Sequence, residues 1–294
     1  MRLVTRADLD GLACALLLDT YETVDEIVLV HPQEITDKTA DVRAGDIVAN
    51  LPYHPSCDLW FDHHLQTASN SQPPTDVRGR FRLAPSAAQV VWEHYGEEAR
   101  WTTLIAETNK VDAAQLTEED VLRPQGHVLL GYLLDPRTGL GDDEAFFHRC
   151  FDHLRAGGSV DDLLRAEDVA ARVMRMFAMN EDCCWTLSHH SRLIGNVVFT
   201  DLRRVSSLPV GNRFLVYTLF PESNVSVRVQ FSQRLDAVMV KVGHSIFNRT
   251  CQTSVGELMS EYGGGGHRGA GSAPLDVLHA DMKIYAILDA LQEH

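Results

Sequence analysis

The chain contains no apolar run approaching the ~20 residues of a membrane-spanning helix, and no Cys-x-x-Cys pair. Its six cysteines, Cys14, Cys57, Cys150, Cys183, Cys184 and Cys251, build no disulfide framework, and the vicinal pair Cys183–Cys184 does not easily bridge. Cysteine used in this way fits a reducing compartment. The opening residues MRLVTRADLDG put acids where a signal peptide needs an apolar core. A soluble, cytoplasmic protein without a membrane partner is expected. Basic charge is scarce as well, with 26 Lys and Arg against 41 Asp and Glu, a net of −15 over 294 residues. With neither a basic channel nor an aromatic-rich stacking stripe, long nucleic acid is not expected as a partner. No Gly-Lys-Ser/Thr follows the glycine tract, which excludes a Walker P-loop. There is no internal repeat.

What is present reads as an ordinary globular chain, 45% hydrophobic and 23% charged. Its length suggests about two domains. The acidity is uneven. Residues 1–189 carry 16 basic and 32 acidic side chains, a net of −16, whereas residues 190–294 carry 10 and 9, a net of +1. Short β-prone runs at Arg2–Thr5, Glu26–His31, Asp46–Leu51 and Leu59–Asp62, with an apolar helix-forming run at Leu12–Leu18, suggest a largely parallel sheet. Ser86 and Gln89 form a capping box for the next helix, and Gly96 ends it. Residues 142–181 have helical periodicity, broken at Gly157-Gly158. After His190, four runs (RLIGNVVFTDL, FLVYTLF, SVRVQF and AVMVKVG) look like strands. Helices are expected at about Val255–Tyr262, with Ser254 and Glu257 as capping box, and at about Val277–Leu291. The expected fold is α/β: a parallel-sheet N-terminal domain over residues 1–140, a helical linker over 141–190, and a smaller α+β domain with a mixed sheet over 191–294.

Three features carry chemistry. Phe61-Asp62-His63-His64 closes an apolar strand, where open α/β sheets collect ligands, and one acid with two imidazoles suits a transition metal. Asp8-Leu9-Asp10-Gly11 puts two acids in one strand-to-helix turn, which suits a cation and equally a helix N-terminus. An EF-hand fails, because its fifth and sixth loop positions would be Leu12 and Ala13. Gly263, Gly264, Gly265 and Gly266, followed by His267 and Arg268, exceed what a helix C-cap needs. Successive N–H groups with an arginine fork suit phosphate.

In this order, DxD, then DHH some fifty residues on, then GGGGH, the chain resembles the DHH phosphoesterase family with its DHH-associated C-terminal domain. It is most similar to the exopolyphosphatase-like members, through VTRADLDG, ANLPYHP, LWFDHH, GHSIFNRT and YGGGGH. The resemblance spans nearly the whole chain. It implies a metal-dependent phosphohydrolase acting on a small phosphorylated substrate in a cleft between domains. A short oligonucleotide, a dinucleotide, a 3′-phosphonucleotide or polyphosphate would fit. It implies divalent Mn or Mg held by Asp8, Asp10, His63 and Asp112, with Asn50, whose amide oxygen can ligate a hard cation, as a further candidate ligand. His64 would face substrate and Asp62 would orient the site. The glycine tract, His267 and Arg268 would hold substrate, with His244 and Arg249 as weaker members of that pocket. A homodimer is compatible with it.

The family's pattern has two metals, and this sequence departs from it twice. Val4 stands where a ligating His is expected. Asn50 stands where a bridging Asp is expected, since Asp46 begins its strand, about 13 Å from the carboxyl edge. One metal site is therefore expected, and a second is doubtful. Arg6 either replaces the missing cation or is a plain end-of-strand charge. The alternative to an enzyme is a nucleotide- or phosphate-binding module on a degenerate scaffold.

Overall fold

The computed structural model describes residues 1–64, 77–140, 144–232 and 234–292. Asp142, where the helical periodicity begins, lies outside them. The chain divides into two compact units, one of residues 1–115 and 124–176, the other of residues 116–123 and 177–294.

The first unit is built on five parallel strands: β1 (Arg2–Thr5), β2 (Glu26–Leu29), β3 (Ile47–Ala49), β4 (Leu59–Asp62) and β5 (Arg78–Phe81), in the order β2-β1-β3-β4-β5. β1 and β2 are joined through α1 (Leu9–Tyr21), and a short α2 (Pro32–Thr36) follows β2. Ten of the thirteen residues of α1 are buried, so it is apolar on nearly every side. On the sheet, Val4, Val30, Val48, Leu51 and Trp60 form one apolar cluster. α3 (Ala87–His94), α4 (Thr102–Asp112), α6 (Gly126–Leu134), α7 (Glu144–Arg155) and α8 (Val160–Arg165) complete the unit. α5 (Glu118–Leu122) groups with the second unit, and α9 (Glu167–His190) runs out of the first unit into the second.

The second unit has six strands: β6 (Ser191–Ile194), β7 (Val197–Asp201), β8 (Val225–Phe231), β9 (Ala237–His244), β10 (Gly265–His267) and β11 (Ala270–Asp276), in the order β10-β11-β9-β8-β7-β6. Only β7 and β8 pair parallel; the other neighbours are antiparallel. α10 (Leu215–Leu219), α11 (Val255–Glu261) and α12 (Ala280–Gln292) belong to this unit. Val227, Val240, Val255, Met259, Ile284 and Ile287 are among the members of its apolar core. The α/β architecture, with a parallel sheet first and a mixed sheet last, is the one expected.

Several local expectations change. FLVYTLF is not a strand but carries α10. A parallel pair cannot be closed by a hairpin, so the chain between β7 and β8 must cross over, and this buried run serves as the crossover. RLIGNVVFTDL is two strands, turned at Gly195 with φ +61°. The helical region breaks twice, because Ala166 is extended between α8 and α9. Ser86 does cap α3, its Oγ accepting from Gln89 N at 3.1 Å, but the Gln89 side chain reaches Glu93 and Asn109 instead of closing the box. Ser254 makes no side-chain cap bond, and the neighbouring Val255 N–H is bonded to the Arg268 carbonyl. The glycine tract is partly strand β10.

Candidate metal centre

Three neighbouring strands of the parallel sheet deliver their carboxyl ends to one place. β1 leads into Arg6, Asp8 and Asp10, β3 into Asn50, and β4 into Asp62, His63 and His64. The order of connection reverses between β1 and β3, and that switch point is where open α/β sheets take ligands.

Asp10 is buried at the start of α1. Its Oδ2 accepts from Ala87 N and its Oδ1 from Ala88 N, both at 2.8 Å. It therefore binds the N-terminus of α3, whose orphan N–H groups favour an anion. Burial first, then Asp8, nevertheless pushes its carboxyl up to about 7 against those donors. Cys14, one turn along α1, lies with Sγ 3.9 Å from Asp10 Oδ1; burial, then Asp10, pushes its thiol far up, so it stays protonated.

His63 faces two acids with a nitrogen that has no hydrogen-bond partner. Its Nδ1 lies 2.9 Å from the Ala84 carbonyl, which fixes that nitrogen as the donor. Its Nε2 is buried and unpartnered, 3.7 Å from Asp10 Oδ2 and 3.3 Å from Asp112 Oδ2. Asp112 ends α4 with 27% of its side chain open. Its partial removal from water, then Asp10 and Asp8, pushes its carboxyl up to about 7. An imidazole lone pair between two carboxylates is a donor set for a divalent cation, and the three ligand atoms lie within 4.8 Å of one another. Asp62, His63 and His64 make a second such group.

His64 is the open neighbour, its ring 4.1 Å from that of His63 and its Nδ1 2.8 Å from Asp62 Oδ1. Burial pulls its pKa down, but the Asp62 bond and charge, with Asp112 and Asp10, raise it overall. Asp62 is fully buried, and its Oδ2 has no partner.

Asp8 is differently occupied. Its Oδ1 accepts from Gly11 N, capping α1, and from Asn50 Nδ2, both at 2.9 Å. Arg6 Nε stands 3.2 Å from its Oδ2. Asn50 takes φ +58°, a left-handed conformation that asparagine tolerates, and its Oδ1 is buried without a partner. Val4 is wholly buried in the apolar cluster of the sheet and offers no donor. Asp46 accepts from Arg2 and from Arg43 N at the far end of β3, a structural use.

Sequence reading passed over Arg137, in the turn after α6. Its side chain is largely exposed and pairs with Asp135 at 2.8 Å; partial desolvation lowers its pKa, but the Asp135 bond and charge, then Asp8 and Asp112, raise it overall. Nothing in its local sequence marks it, because only the tertiary fold brings residues 8, 112 and 137 together.

In the second unit, Gly263 follows α11 with φ +78°. The Gly264 N–H closes the helix on the Met259 carbonyl. A Cβ on Gly264 would strike the Ser272 carbonyl, and one on Gly266 the Ala270 carbonyl, so both are glycine because β10 lies hard against β11. Only Gly265 has open space at its Cβ position. The same turn gathers His244, His267 and Arg268. Burial, then Arg268 and His267, lowers the His244 pKa against its 3.0 Å bond to the Thr253 carbonyl. Arg268 reaches Gln252 at 3.4 Å, and Arg249 Nε donates to the Ile246 carbonyl at 2.9 Å.

No family model and no curated protein matches the sequence. Among solved structures, a pGpG-specific phosphodiesterase, PggH, from Vibrio cholerae is 34% identical, covers 99% of each chain and superposes with a TM-score of 0.86. An exopolyphosphatase-related protein from Bacteroides fragilis is 12% identical, covering 99% of this chain and 92% of its own, with a TM-score of 0.54. The exonuclease RecJ bound to manganese is 13% identical, covering 97% and 89%, with a TM-score of 0.53. The last two show the fold alone.

Proposed function

The chain belongs to the DHH phosphoesterase family, and from that premise we propose that it is a metal-dependent phosphodiesterase that hydrolyses a short linear dinucleotide to mononucleotides. The observation that carries this reading is His63 Nε2, a buried lone pair without a partner set between Asp10 and Asp112. The 34% identity over the full length to a pGpG phosphodiesterase favours a dinucleotide over polyphosphate or a 3′-phosphonucleotide.

Asp10, His63 and Asp112 would hold one divalent cation, Mn or Mg. When bound, it polarises a phosphoryl oxygen and makes water more acidic. Hydrolysis adds OH to phosphorus and H to the leaving oxygen. His64 suits the second task. Its Nδ1 is tied to Asp62, its pKa is raised, and its other nitrogen can carry a proton to the leaving group. Arg137 and Arg6 supply positive charge for the phosphate's oxygens. The glycine tract with His267 and Arg268 grips the phosphates.

The centre is mononuclear in this reading. What supports it is that Asp8 is already bonded to Arg6, Asn50 and Gly11, and that Val4 is core. Manganese titration of the purified chain is expected to give one tight ion per chain; two would sink this part. For the activity itself, pGpG is offered with Mn²⁺ beside 3′-phosphoadenosine phosphate, polyphosphate and pyrophosphate. Turnover of pGpG to GMP that vanishes in Asp112→Asn is the expected result. Turnover that persists in Asp112→Asn, or binding without any turnover, overturns the enzyme reading.

A further inference from the structure

The second unit holds a crevice of about 650 Å³ at the end of its sheet where β6 begins and β7 and β8 finish. It lies at the β6–β7–β8 side, while the glycine tract forms β10 at the opposite edge. Asp201 ends β7 and Phe231 ends β8, so the crevice opens beyond the carboxyl ends of the only parallel pair in this sheet. That is the position where a parallel sheet leaves room for a ligand.

Its walls are cationic in an acidic chain. Arg203 is the fixed member, held by Asp201 at 2.6 Å and by Asp281 of α12 at 2.6 Å. Those two acids are more than balanced. Arg192 and Arg204 also line the crevice, both exposed; among the described residues neither makes an ion pair within 4.0 Å, although Arg192 helps Arg203 to lower the Asp201 pKa. Arg192 lies over the Phe199 ring at 5.0 Å, which keeps its guanidinium at the wall. His189 and His190 add two imidazoles from the end of α9. His189 is stacked on Trp185, centroids 4.3 Å apart, and Trp185 is 63% exposed. Trp185 adjoins the crevice through the His189 ring that lines it, and an exposed indole is a surface on which a planar ring can stack.

We propose that this crevice is a binding site for a nucleoside monophosphate, separate from the metal centre and from the glycine tract. Arg192 and Arg204 take the phosphate as charge-assisted donors. Arg203, neutralised by its two acids, shapes the floor, and the Trp185–His189 stack meets the base. The proposal stands whether or not the metal centre hydrolyses dinucleotides, because it concerns binding by metal-free protein.

The test is a titration of the full chain in EDTA with GMP and AMP, read by tryptophan fluorescence and by calorimetry. Saturable binding is expected, with inorganic phosphate competing and guanosine failing to compete. The double variant Arg192→Ala/Arg204→Ala should weaken GMP binding at least about tenfold, since two charge-assisted contacts are lost. Trp185→Phe should remove the fluorescence change while calorimetry still detects binding. Asp112→Asn and Arg268→Ala should leave the affinity unchanged. Both arginines are exposed, so the double variant should keep its circular dichroism and melting temperature. Unchanged GMP affinity in the double variant, loss of binding in Arg268→Ala, or equal competition by guanosine each overturns the proposal.

Discussion

Asp10 and Asp112 face the same imidazole but are held in different ways, and that difference can be measured. Asp10 is buried and accepts two backbone N–H groups, whereas Asp112 sits at a helix end beside like charges. Asp10→Asn turns an NH₂ toward one of those donors, a mismatch that costs about 1–3 kcal/mol. Asp112→Asn removes a repelling charge and should raise the melting temperature of metal-free protein near pH 8 (a pH at which that carboxyl is ionised). Both variants should lose turnover by about 10³-fold or more. Calorimetric melting of the pair checks the contrast, and equal destabilisation would contradict it. Both carboxyls are raised to about 7 from an ordinary 3.8. Their contribution to the stability of metal-free protein is thus present at low pH, below the unfolded value, and is lost as pH rises through about 7. A cation needs them ionised, so Mn²⁺ affinity should climb from about pH 5 to about 7 and then level, with protons released on binding. Calorimetry at pH 6 in two buffers of different ionisation enthalpy detects those protons. The spacing of DxD and DHH marked Asp10 and His63 in the sequence. The Arg137 contribution was illegible there, because no local pattern ties residue 137 to residues 8 and 112.

Among elements, the glycine tract separates backbone need from ligand need. Gly264→Ala and Gly266→Ala each drive a Cβ into a carbonyl of β11, so each should destabilise by about 2 kcal/mol or more. Gly265→Ala meets nothing and should melt like the parent. If the tract grips phosphate, Gly265→Ala should still raise KM for the dinucleotide, by about tenfold, with little change in kcat. Melting curves and steady-state kinetics on the three variants read both effects, and an unchanged KM in Gly265→Ala would remove the grip. Read along the chain, four glycines looked like more than a cap requires; the packing of β10 on β11 accounts for two of them and the end of α11 for another. Ser86→Ala should cost about 1 kcal/mol through the lost α3 cap. FLVYTLF shows the limit of periodicity. Seven apolar-rich residues fit a strand or a buried helix equally, and the parallel pairing of β7 with β8 decides it.

For the molecule as a whole, charge sets what can approach. Residues 1–189 carry a net of −16, which repels a polyanion. Under the same Mn²⁺ conditions, a single-stranded DNA of about 40 nucleotides should remain intact while pGpG is consumed, as a gel and a chromatogram would show; degradation of both at similar rates would contradict this. Among the described residues, no helix is long and apolar enough to cross a membrane, in keeping with the hydropathy of the chain. The family and the parallel-then-mixed sheet order were legible in the linear chain, and its motifs singled out Asp10, His63 and Asp112 as candidate ligands. These depend on short-range spacing and on apolar runs, which a linear reading preserves. The linear chain does not reveal that Asp8 is bonded to Arg6 and Asn50, that the His63 Nε2 lone pair is buried between two acids, or that three arginines meet at the end of β7 and β8. Each depends on strands far apart in the chain ending at one edge of a sheet, and strand pairing is a long-range property that no local pattern encodes.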